Sequence, residues 1–75
     1  MNAIEAAGKS QYKGAVRQQN GKPMIYSAIA KRMFLQTSLP GEEPVFQEIK
    51  AEYLDSFLSY ADWEPWDRPL PEYGN

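Results

Sequence analysis

The stretch from Glu43 to Trp63 constrains this chain most, because an apolar period and an acidic period run through it together. At about 100° per residue, Val45, Phe46, Ile49, Tyr53, Phe57 and Tyr60 fall on one face and Glu48, Glu52, Asp55 and Asp62 on the other. This spacing predicts an amphipathic helix with an aromatic side and an acidic side, its apolar arc widened by Leu54 and Leu58. The run before it, Ser38 to Pro44, reads as a turn, with Pro40-Gly41 suited to the centre of type II. Glu42 and Glu43 would then meet the positive end of the helix dipole, with Pro44 in the first turn.

Upstream, Pro23 to Thr37 is apolar over half a helical wheel: Ile25, Tyr26, Ile29, Ala30, Met33 and Phe34. That predicts a second helix, buried and contacted from two sides. From Asn2 to Gln19, Ile4, Ala7, Tyr12, Ala15 and Val16 share an arc opposite Lys9, Lys13 and Arg17, which predicts a first helix stopped by Asn20-Gly21 and Pro23. Gly8 and Gly14 weaken it by roughly 1 kcal/mol each relative to Ala.

A β-hairpin is the alternative over residues 11–29, since Asn-Gly between apolar runs is a strong type I′ signal. It would set Gln19 opposite Lys22, Val16 opposite Ile25 and Tyr12 opposite Ile29. Alanines on both sides tilt the balance towards helix. The expected fold is therefore mainly α: a small three-helix domain over residues 1–63 with an extended Pro/Trp-rich C-terminal tail over residues 64–75. The alternative is α+β, with the hairpin around Asn20-Gly21 packed on the Glu43–Trp63 helix. The expected core is Tyr12, Val16, Ile25, Ile29, Met33, Phe34, Val45, Phe46, Ile49, Tyr53, Phe57 and Tyr60.

In the tail, Pro65, Pro69 and Pro71 prevent regular helix, while Trp63, Trp66, Leu70 and Tyr73 supply large apolar groups that a disordered segment normally lacks. Such a segment either folds back over the domain or docks on a partner.

Charge is distributed unevenly. Met1 to Thr37 carries six basic residues against one acid, a net of +5, and Ser38 to Asn75 carries two against nine, a net of −7. The two halves can attract each other within one chain or between subunits, or can present a basic surface to an acidic partner.

With no cysteine and no histidine, the chain lacks disulfides, thiolate metal sites and the commonest general base. It contains no Gly-rich phosphate loop and no nucleophile–base set. Solvated carboxylates on one helix face do not form an acid/base pair, so no enzyme, cofactor or metal is expected. No apolar run approaches the roughly 20 residues that cross a bilayer and no signal-peptide core is visible, so the expected location is cytoplasmic.

Two functions fit these limits. One is a small non-enzymatic protein-interaction module, an inhibitor, antitoxin-like factor or accessory subunit that could form a homo-oligomer. It would bind its protein partner through Glu48, Glu52, Asp55, Asp62, Trp63, Trp66, Leu70 and Tyr73. The alternative is a nucleic-acid-binding regulator that contacts phosphates through Lys9, Lys13, Arg17, Lys22, Lys31 and Arg32. The overall acidity of the chain and the lack of a recognition element stand against it, so the protein-interaction module is the preferred reading.

Overall fold

The Asn20-Gly21 pair decides the architecture. In the computed structural model, which describes residues 1–39 and 41–70, both residues have positive φ, 53° at Asn20 and 78° at Gly21. That is the backbone of a type I′ turn, whose twist matches the strands it joins. β1 (Gly14–Gln19) and β2 (Lys22–Ser27) run antiparallel from it, with Gln19 opposite Lys22 and Val16 opposite Ile25. The hairpin thus has the register expected for the alternative, except that it stops before Tyr12 and Ile29. Lys13, at φ 58°, turns the chain out of the ladder there.

β3 (Arg32–Gln36) pairs with β2, and β4 (Phe46–Glu48) with β3. β5 (Glu64–Trp66) returns to the free side of β1, completing an antiparallel sheet of order β4-β3-β2-β1-β5. Only two short helices accompany it, α1 (Ala3–Gly8) and α2 (Leu54–Leu58), the latter entered through a 3-10 turn over Ala51–Tyr53.

The three-helix expectation is therefore overturned, for reasons that lie in the periodicity. Met24-Ile25-Tyr26 and Met33-Phe34-Leu35 are apolar on consecutive residues because the strands carrying them have apolar groups on both faces. On a wheel, such a run imitates half a buried helix. The segment forms no helix but two paired strands, β2 in the middle of the sheet and β3 beside it.

The predicted first helix survives only as α1, where Asn2 and Glu5 form a reciprocal capping box. Nor does the Glu43–Trp63 helix form. Neither the 3-10 turn nor α2 has a side-chain N-cap, and β3 offers an open edge that residues 45–49 use instead. Thr37 N–H donates to the Val45 carbonyl and Ile49 N–H to the Met33 carbonyl, each at 2.8 Å. The aromatic face is dispersed with the helix: Val45, Tyr53 and Tyr60 are 57%, 53% and 43% exposed.

The main core lies on the face carrying Ala15, Met24, Tyr26, Met33 and Leu35. Ala3, Ala6 and Ala7 bring α1 close to it, while Leu54, Phe57 and Leu58 of α2 pack beside Trp63, which is 1% exposed. The Trp63 indole N–H donates to the Phe57 carbonyl at 2.8 Å, so the largest core side chain is satisfied as well as buried. Of the expected core only Ile25, Met33 and Phe34 are fully buried; Ile29 is 69% exposed.

Residues 64–70 belong to the fold. Beyond β5, Leu70 is buried against Gly14 on the second face of the sheet, where Ile25 and Phe34 also lie. The Ser10 hydroxyl donates to the Trp66 carbonyl and accepts from the Tyr12 and Gly14 N–H groups, tying the α1–β1 loop to β5. Pro71 and Tyr73 lie outside the described residues, as does Pro40 of the expected type II turn. No helix is long and apolar enough to cross a membrane among the described residues.

Candidate functional site

Strand direction sorts the charges. β1 and β3 begin, and β2, β4 and β5 finish, at the same end of the sheet. Five exposed cations gather in the loops there: Lys9 and Lys13 between α1 and β1, Lys31 between β2 and β3, Lys50 after β4 and Arg68 after β5. Arg32, at the start of β3, is bound bidentately by Glu48 at 2.7 and 2.9 Å. Among the described residues, the acids Glu52 and Asp67 also reach this end, and the Asp67 carboxylate accepts the Gln11 N–H at 3.0 Å. The opposite end carries the β1–β2 turn with Lys22 and the β3–β4 connection with Glu42 and Glu43.

Two of the lysines have an unusual backbone. Among the described residues, the non-glycine residues with positive φ are Asn20, Lys13 (58°) and Lys31 (56°). Asn tolerates that region because its side chain can bond locally; lysine has no such compensation. The two loops touch, with Ala28 N–H donating to the Lys13 carbonyl at 3.0 Å. Both strained lysines therefore lie at the basic end, on either side of the end of β2.

The residues expected to bind nucleic acid divide accordingly. Lys9, Lys13, Lys31 and Arg32 are brought together, whereas Lys22 lies at the far end and Arg17 is consumed by the fold. Arg17 is 9% exposed, bonds Asp62 at 2.8 and 3.2 Å and Gln19 at 2.6 Å, and stacks 4.4 Å from the centre of the Tyr60 ring. Lys50 and Arg68 complete the cluster, and sequence order conceals them because they come from the acidic half.

The residues expected to meet a protein partner do not form one stripe. Glu48 pairs with Arg32 on β4, Asp62 pairs with Arg17, and only Glu52 and Asp55 stay close together, exposed on the 3-10 turn and α2. Trp63 is in the core, Leu70 is buried and Trp66 is half-buried in β5, while Tyr73 lies outside the described residues. No protein-family model matches this chain, and neither the curated proteins nor the solved structures give a match.

Hydrogen bonds from Arg32 and Arg17 hold the Glu48 and Asp62 carboxyls below their ordinary range, which keeps them charged. Burial raises the Tyr26 hydroxyl above its ordinary range, which keeps it neutral. No cluster of three or more acidic side chains suited to a metal ion is present among the described residues.

Proposed function

We propose that the protein is a small non-enzymatic, cytoplasmic binding module whose working surface is the basic end of the sheet and whose ligand is an anionic macromolecule. The observation that carries this is the pair Lys13 and Lys31, left-handed lysines in touching loops. Residues held in sparsely populated backbone regions cluster at functional sites, where the side chain is worth the strain. Here both strained side chains are cations, and Lys9, Lys50 and Arg68 lie in loops at the same end of the sheet. A local basic surface binds polyanions even when the net charge of the chain is −2, because screening limits the reach of distant acids to roughly 10 Å at 0.1 M salt.

The test is retention on immobilised heparin, eluted with salt. The wild-type protein should be held at low ionic strength, the Lys13→Gln/Lys31→Gln double variant should elute earlier, and Lys22→Gln, altered at the far end, should match wild type. Flow-through of the wild-type protein at low ionic strength would refute the proposal.

A protein partner is the second possibility, favoured by Leu39 (62% exposed) and Val45 (57% exposed) beside the outer strand β4. An extended peptide could add to that edge, as could β4 of a second copy. Val45→Lys should then abolish the association, and sedimentation would report it.

A further inference from the structure

We infer that the anionic ligand is single-stranded nucleic acid, recognised by stacking as well as charge; this rests on the anion-binding proposal above. The reason is that an aromatic residue accompanies three of the four cationic segments, the Lys31 loop carrying Ile29 instead. Tyr12 adjoins Lys13 and is half-buried, Tyr53 follows Lys50 and is 53% exposed, and Arg68 lies over the Trp66 ring at 5.4 Å from its centre. Cations that follow a phosphate backbone, interleaved with aromatic faces that accept any base, are what binding to a single strand requires.

The shape of this end favours a single strand over a duplex. Reading a major groove takes a helix or a two-stranded ribbon that can enter it. The basic end consists of short loops, and the protruding β1–β2 ribbon points the other way with Lys22 at its turn. The loops are spread across the sheet, from Lys50 beside β3 and β4 to Arg68 beyond β5. With strands about 4.8 Å apart, four spacings give a track about 19 Å long. A strand lying along it would pass the lysine pair at mid-path.

The other anionic surface to consider is a membrane. Ile29 is 69% exposed in the loop that carries Lys31 and could enter a bilayer. One aliphatic side chain is less than a single acyl anchor provides, and that anchor alone gives only marginal binding. Beside the two tyrosines, Ile29 serves equally as apolar ground under a base.

Fluorescence anisotropy with a labelled oligothymidylate, repeated over a salt series, tests the inference, with folding of each variant checked by circular dichroism. Each neutralised phosphate contributes a slope of about −0.7 in log K against log salt, so five cations set an upper slope near −3.5. Lys13→Gln/Lys31→Gln should flatten the slope by about 1.4. Tyr53→Ala should weaken binding about fivefold or more at an unchanged slope, and Tyr53→Phe should restore it. If heparin and duplex bind as tightly as the oligothymidylate and Tyr53→Ala has no effect, stacking recognition is refuted while anion binding stands. Binding to anionic vesicles without binding to the oligonucleotide would assign the surface to lipid and overturn the inference. If none of these polyanions binds, both proposals fail.

Discussion

Gly14 lies where a side chain has no room. A Cβ built there would stand 2.6 Å from Leu70 Cδ2 and 3.3 Å from Trp66 Cδ1. Because Leu70 is buried, it cannot swing clear, and Gly14→Ala should destabilise the protein by roughly 1–3 kcal/mol in denaturant titration. Trimming Leu70 to Ala should cost less in that background than in wild type, since the two changes share one space. Ser10 raises the same issue in polar form. Ser10→Ala would strip the buried Gly14 N–H of its acceptor, at a cost of about 1–3 kcal/mol. Lys31 should behave in the opposite way. A left-handed residue with a side chain costs about 1–2 kcal/mol, and glycine gives back roughly half of the relief in unfolded-state entropy. Lys31→Gly is therefore expected to raise stability by up to about 1 kcal/mol while weakening anion binding, a trade seen where strain serves function.

Elements were legible in the sequence where local chemistry dictates them. Asn20-Gly21 sets the turn and the turn sets the register, Gln19 opposite Lys22 and Val16 opposite Ile25. Yet the flanking alanines favour a helix over the same residues, and that preferred expectation is the one the sheet overturns. Gly21→Ala should cost about 1 kcal/mol or more, because φ 78° suits glycine, and hairpin amide protection would report it. The other strands depend on partners distant in sequence. Phe46–Glu48 becomes β4 only because β3 has an open edge, so its own residues suggest the helix that the aromatic spacing imitates. The two tryptophans show the same limit. Both looked like docking residues, yet Trp63 is a core side chain with a satisfied indole, whereas the buried Trp66 indole N–H has no acceptor among the described residues. Trp63→Phe loses a hydrogen bond as well as volume, and Trp66→Phe sheds an unpaired donor. Thermal unfolding should show the first to be the more damaging by about 1–2 kcal/mol.

Across the whole molecule, opposite charges from the two halves of the chain meet within it. Arg17 binds Asp62 and Arg32 binds Glu48, so both ion pairs join the basic half to the acidic half. The carboxyls of both pairs are held below their ordinary range by those hydrogen bonds. As pH falls, the unfolded chain therefore takes up protons first. The stabilisation is complete above the ordinary carboxylate range and disappears as pH drops through the folded-state values. Denaturation midpoints should fall below about pH 4, and less steeply in an Asp62→Asn/Glu48→Gln variant. What the pairs leave over defines the surface. Lys9, Lys13 and Lys31 could be recognised as basic from the sequence, but their meeting with Lys50 and Arg68 depends on strand direction, which no single segment encodes. Backbone amide shifts recorded while an oligothymidylate is titrated into the labelled protein test that assembly most directly. The basic-end surface predicts movement at residues 9–13, 28–31, 50–53 and 68, with Asn20-Gly21 and residues 41–43 unmoved. Shifts confined to those far-end residues or to the β4 edge would contradict it.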